Sequence, residues 1–414
     1  MSMVRKLIHF EIKKQLSGPF FVIALCLLLV VNVLLTCGIR EYNDTKKEAE
    51  ERSGQEFPWD FWEYRGGFIE GILSGTKRDK ESYALIVENG EAFADAMVKK
   101  YGEDALDPST RLPEEAYKAP GYFGENWSDS TMLMAYQRAQ TWNADLDAAL
   151  HKAVEAAKAY GRDAVEEEDN YGIRRNIDVI QLYTVPRGEI TSPIRGWAYF
   201  LFETPTMLFV FLLVLLACGG SFSIERERKT VYLLHTSKNG KGMTLAAKYL
   251  SGAVIAAGLT ILFQAVTLAS VWFKNGLLGL NQPAAAMEQL TMLSWPMTVW
   301  QYLLVQLICQ ILAAVILSVI VNTASALSKT SILSYVIGVL ALGLLFVAQS
   351  AKTEWLMGPL SLADTVRYFD SYCTANLFGF PVLWVLLQSV LWLVLCGAGI
   401  YAAHRLFHRK GKVV

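Results

Sequence analysis

Few positions in this 414-residue chain have residue types and spacing that could do chemistry. The densest group is Glu225-Arg-Glu-Arg-Lys229, followed by Thr230 and then by Leu233 and Leu234. Two carboxylates alternating with three cations suit a charged groove on a partner, and the leucine pair supplies an apolar anchor. That combination belongs to docking rather than to bond making, the alternative being a solvated connecting loop. The remaining polar candidates sit in apolar surroundings. Glu203 is either an interfacial carboxylate or a functional one. Gln306 and Gln310, four residues apart on one helical face, either bond a neighbouring helix or contact a polar substrate on a translocation path.

Hydrolytic chemistry finds no footing. The five histidines (His9, His151, His235, His404, His408) offer no H-E-x-x-H spacing, and no G-x-S-x-G elbow occurs. Gly240-Lys241 and Gly411-Lys412 lack both the first glycine and the following hydroxyl residue of a phosphate loop. No catalytic residue, metal site or cofactor is expected in this chain, so any ATP and Mg would be handled by another.

The elements that carry these residues are hydrophobic spans. Phe20–Gly38, Tyr249–Phe273, Thr330–Ala351 and Phe380–Ala403 contain no charged residue. Each is long enough to cross about 30 Å of hydrocarbon as a helix. Trp197–Gly220 is interrupted only by Glu203, and a further span is expected near Met297–Asn322. The pattern predicts an all-α membrane protein with six transmembrane helices. Charge is divided between compartments: residues 40–195 hold 31 of the 39 acidic residues but 20 of the 38 basic ones. Residues 1–19, the loop near Ile224–Lys248, Lys329 and the tail after Ala403 are basic, whereas the only basic residues in the short loops on the other side are Lys274, Lys352 and Arg367. This asymmetry predicts both termini in the cytoplasm. The first span is not expected to be a cleaved signal peptide, because charge follows Cys37-Gly38 directly.

Domain boundaries follow. Residues 1–18 read as an interfacial helix, with Val4, Leu7, Ile8, Ile12 and Leu16 on one face. The first span occupies 19–39, an extracytoplasmic domain 40–196, and the remaining spans 197–414, with a loop at 224–248 and an outer segment at 352–380. The domain reads as mostly helical. Ala135, Ala139, Trp142, Leu146, Ala149, Ala153, Ala157 and Tyr160 recur in steps of three and four, and a second helix is predicted over Glu81–Tyr101. Glu166–Asp169 reads as a solvated helix end. The aromatic cluster Phe57, Trp59, Phe61, Trp62 and Tyr64 suits domain packing or an amphiphilic ligand. Only Cys373 lies clear of the spans, so no disulfide framework is expected.

The loop after the second span resembles the coupling-helix region of ABC-2-type permeases, the membrane subunits of ABC exporters. It matches at Glu225, Glu227, Thr230, Leu233, Leu234 and Lys248, and departs at Lys229, where glycine is usual, and at Ser237, where proline is usual. The interfacial N-terminal helix, six spans, an outer segment before the last span and the Asn376–Pro381 entry are similar as well. The resemblance covers residues 1–40 and 197–414 and points to a branch with a large insertion between spans one and two. It implies a multi-pass protein of a bacterial cell membrane that moves a substrate by ATP hydrolysed in a separate cytoplasmic ABC ATPase subunit. It further implies a second permease in a homo- or heterodimer, with Glu225, Glu227, Arg228, Thr230, Leu233 and Leu234 coupling the two kinds of subunit, and no nucleic acid partner. A membrane-anchored sensor whose outer domain captures a ligand is the alternative.

Overall fold

The computed structural model describes residues 2–37, 95, 98–100, 102–103, 129–187, 197, 200–201, 205–230, 240–275, 280–350, 359–369 and 371–409. The helix expected over Glu81–Tyr101 lies largely outside these residues, as do the aromatic cluster at 57–64, Glu203, Leu233 and Leu234.

Helix α1 (Ser2–Leu16) leads through Ser17-Gly18 into α2 (Pro19–Cys37), where proline occupies the first helical position and costs no hydrogen bond. An antiparallel pair, α3 (Asp129–Glu166) and α4 (Asn170–Tyr183), comes next. The bundle continues with α5 (Thr206–Cys218), the one-turn α6 (Ser223–Glu227), α7 (Gly240–Asn275), α8 (Val299–Leu327) and α9 (Ser331–Ser350). A short α10 (Val366–Phe369) and a hairpin of β1 (Thr374–Leu377) and β2 (Phe380–Leu383) precede the last helix, α11 (Trp384–Arg409).

Five of the described stretches are long and apolar enough to cross a membrane: Pro19–Thr36, Thr206–Glu227, Gly242–Trp272, Val299–Leu327 and Trp384–Arg405. Ser331–Val347 is a shorter apolar helix. The protein is therefore an all-α multi-pass membrane protein. Helices α7 and α8 pack along each other at its centre, with α2 and α5 against α7, and α5, α9 and α11 against α8. Helices α2 and α11 are peripheral. Phe20, Ile23, Leu27, Val390 and Val394 stand exposed on them, as expected of faces that meet lipid tails instead of water.

Three boundaries differ from the sequence reading. The second span does not run unbroken from Trp197. Helix α5 starts at Thr206, behind Pro205, whose ring and missing N–H end regular helix there. The last span starts at Trp384 instead of Phe380, because Phe378 (φ 52°) and Gly379 (φ 82°) form a two-residue turn with both φ positive, which folds 374–383 into a hairpin. Helix α7 begins at Gly240, more than two turns before the uncharged run, and so carries Lys248 as a helical residue.

The expected helix through Ala135–Tyr160 is α3. The acidic run at its end is exposed, and within it Asp169 caps α4 by accepting from the Tyr171 N–H at 3.1 Å. This hairpin docks on the segments that follow α7 and α9. The Tyr171 hydroxyl donates to the Thr374 carbonyl at 3.0 Å, Tyr372 donates to the Asp178 carboxylate at 2.8 Å, and Tyr183 donates to the Met292 carbonyl at 3.1 Å. Burial and the neighbouring Asp178 carboxylate both push the Tyr372 hydroxyl well above its ordinary value. Helices α3 and α4 thus lie at one end of the bundle, and α1, α6 and the start of α7 lie at the other.

Candidate functional site

The site at the basic end is built on α6, a helix of five residues that touches four longer ones. Its formation begins with the turn at Gly219–Phe222 after α5. A Cβ on Gly219 would lie 2.5 Å from the Tyr335 ring, so only glycine lets α9 approach this closely. Ser325 of α8 then accepts from the backbone N–H groups of Phe222 and Ser223 at 3.0 and 3.2 Å, satisfying donors that open the short helix.

The three charged side chains of α6 grip different neighbours. Glu225 is 7% exposed and turned inward, where it pairs with Lys14 of α1 and, at 2.9 Å, with Lys248 of α7. Lys248 is fully buried. Its three ammonium donors meet three acceptors: Glu225 at 2.9 Å, Glu11 of α1 at 3.2 Å and the Ser221 carbonyl at 2.5 Å. The Phe222 ring lies 5.2 Å beneath the same ammonium. Two carboxylates balance two ammonium groups, the condition under which a buried charge is tolerable.

Arg226 and Glu227 hold the junction between α8 and α9. Arg226 donates to the carbonyls of Ser328 and Ala326, the latter at 2.7 Å, where the end of α8 leaves acceptors free. Glu227 accepts from the N–H and the hydroxyl of Ser331, each at 2.8 Å, and so caps the first turn of α9. A cation at one helix C-terminus and an anion at the next N-terminus both complement the helix dipoles.

The end of α6 explains the Lys229-Thr230 pair. Lys229 has φ 58°, its N–H bonds the Arg226 carbonyl at 3.1 Å, and the Thr230 N–H bonds the Glu225 carbonyl at 3.0 Å. This is a Schellman cap, whose left-handed position favours glycine. Lysine fills it here while keeping the turn that glycine would make. Thr230 adds a side-chain bond to the Glu225 carbonyl at 3.1 Å.

Of the six residues singled out for coupling, then, Glu225 is spent inside the fold and Glu227 caps α9, while Arg228 and Thr230 stand exposed and Leu233 and Leu234 lie outside the described residues. Glu11 and Lys14 belong to the cluster and were not singled out, and Lys248, quoted only as a point of resemblance, was not among the coupling residues. The available signal was Lys248, a lone cation at the head of an apolar run.

Deeper in the bundle the polar contacts are uncharged. Gln306 donates to the Leu201 carbonyl at 2.7 Å. In a continuous helix that carbonyl would accept from residue 205, which is Pro205 and has no N–H, so Gln306 supplies the missing donor. Gln310 accepts from Gln264 of α7 at 2.8 Å. A third cluster joins three helices: Asn32 of α2 donates to Thr267 of α7 at 2.8 Å, Thr206 of α5 donates back to Asn32 at 3.2 Å, and the two threonine hydroxyls lie 2.9 Å apart. All three residues are buried, and their only sequence signal was an isolated asparagine in an apolar run. Among the described residues no cluster of His, Cys, Asp and Glu could hold a metal ion.

A family model described as ABC-2 family transporter protein matches residues 78–403. The match takes in α3 through α9 and most of α11, and it extends across residues 78–196, which the sequence reading set apart as an insertion. Neither the search of curated proteins nor that of solved structures finds a match.

Proposed function

Because this chain belongs to the ABC-2 family of transporter proteins, we propose that it is the membrane permease of an ABC exporter. A separate cytoplasmic ATPase hydrolyses ATP and drives it through the loop after α6. In this reading both termini and α6 face the cytoplasm, the chain crosses the membrane six times, and α3 and α4 belong to an extracytoplasmic domain. A second permease completes the path.

The observation that carries the reading is the wiring of α6. A push on the exposed Arg228–Thr230 end reaches α1 through Lys14, α7 through Lys248, α8 through Arg226 and α9 through Glu227. So short a helix with so many fixed partners moves as a rigid lever, not as a loop that absorbs displacement. Gln306 and Gln310 support the bundle by bonding within it, and a role for them on the translocation path would require these bonds to exchange for substrate.

The test combines ATPase pull-down with vesicle transport. Arg228→Glu changes the exposed end of α6 without touching its internal partners, and Leu234→Ala removes the apolar anchor that the sequence offers after it. Truncating an interface anchor costs about 2 kcal/mol or more. Both variants should therefore insert normally yet lose ATPase association or transport. Full binding and full transport by both would reduce the loop to a connector. Side assignment is checked separately: in a Cys373→Ser background, a cysteine at Glu155 should react with an impermeant thiol reagent on intact cells, and one at Lys229 should not.

A further inference from the structure

Arg187 lies four residues past α4, at the end of the bundle opposite α1. Its guanidinium sits over the Tyr183 ring, 5.4 Å from the centroid, and Nη2 donates to the Ser294 carbonyl at 3.4 Å. Nε and Nη1 are shut off from solvent and have no acceptor. Ser294 is fully buried, and its hydroxyl has no partner either. Among the described residues no carboxylate pairs with Arg187. Burial pushes the guanidinium below its ordinary value, opposed by Tyr183. A guanidinium desolvated to this degree without a counter-charge is costly, and its free groups on this side are donors.

The backbone fixes this geometry from several directions. Ser294 is tied to α10 through its N–H, which donates to the Phe369 carbonyl at 3.2 Å, and Trp295 packs edge-on against Phe369 and Tyr372. Tyr183, the platform for Arg187, is pinned to Met292. The Ser294 backbone and the Tyr183 ring, the two groups that Arg187 touches, are thus each fixed by contacts of their own.

We propose that Arg187 and Ser294 form a binding site for an oxyanion, a phosphate or carboxylate group, at this end of the bundle. Such a group accepts from Nε, Nη1 and the Ser294 hydroxyl together and supplies the missing charge. Its source is either a lipid headgroup or an anion in solution. Neither choice depends on the ATPase, so the outcome is independent of the transport assignment.

The experiment uses the full chain. In neutral detergent, thermal unfolding is followed against inorganic phosphate and acetate, with chloride at matched ionic strength as reference. In parallel, the chain is placed in nanodiscs of phosphatidylcholine with and without phosphatidylglycerol. Saturable stabilisation by phosphate or acetate over chloride identifies a soluble anion, and stabilisation only with phosphatidylglycerol identifies a lipid headgroup. In either case Arg187→Gln should weaken the apparent affinity about tenfold or more, Ser294→Ala less, and Arg187→Lys should retain part of it. A wild-type chain that responds to none of the anions or lipids beyond chloride overturns the proposal. So does a response that survives unchanged in a folded Arg187→Gln protein. Because the wild-type titrations decide by themselves, a variant that fails to fold leaves the result intact.

Discussion

The two polar regions of this bundle solve the same problem with different chemistry. At the basic end, Glu11, Lys14, Glu225 and Lys248 join three helices by ionic contacts. In the interior, Asn32, Thr206 and Thr267 join three helices by neutral hydrogen bonds alone. The difference follows from depth. An ion in hydrocarbon is tolerated only with full compensation, whereas an amide or hydroxyl needs one partner. Among the described residues, the ion pairs that join helices lie at the end where α6 sits, and the interior is fastened more weakly.

The largest effect should come from Lys248→Met, which leaves Glu11 without its lysine and Glu225 with Lys14 alone. Breaking a buried pair by removing one partner costs about 3–5 kcal/mol, so this variant should unfold markedly earlier in a thermal scan or fail to accumulate. A variant as stable as wild type would show that the basic end is as loosely fastened as the interior. Asn32→Leu comes next. It removes two interhelical bonds worth about 1 kcal/mol each and should lower the unfolding midpoint by much less than Lys248→Met. An equal loss would erase the distinction between the regions.

Tyr372→Phe sharpens the comparison at the opposite end, where a bond to the Asp178 carboxylate is one of several that fasten α4. It should cost about 1 kcal/mol, seen as faster hydrogen exchange in α4. The sign with pH is fixed by the raised value of Tyr372: the unfolded tyrosine loses its proton first, so this stabilisation is present below its ordinary value of 10 and lost as pH rises beyond it. The smallest change expected is a gain. Lys229→Gly relieves a left-handed lysine, with part of the benefit returned as unfolded-chain entropy, for about 0.5 kcal/mol net. Slower exchange of the Thr230 amide would register it, and faster exchange would contradict the cap.

Legibility varied with the kind of force involved. The apolar runs announced their spans because hydrocarbon demands length and the exclusion of charge, a requirement visible residue by residue. The long helix α3 was equally plain in its three-and-four periodicity. Pairing was less legible. Glu225 and Lys248 are 23 positions apart and Lys14 is 211 from Glu225, so nothing local distinguishes a carboxylate turned inward from one offered to a partner. Gln306 is harder still, since its role depends on a proline 101 residues earlier that leaves the Leu201 carbonyl unpaired.

The sequence by itself determined the class of protein and the approximate place of the hydrophobic helices, because these depend on composition over a window. Tertiary structure alone decided that Glu225 closes an internal ion cluster, that Glu227 caps α9 and that Arg228 and Thr230 stand exposed. It also placed the unpaired donors of Arg187 beside Ser294. Those outcomes rest on burial and on contacts between distant segments, and a side chain's charge has no fixed meaning until packing sets its neighbours and its distance from water.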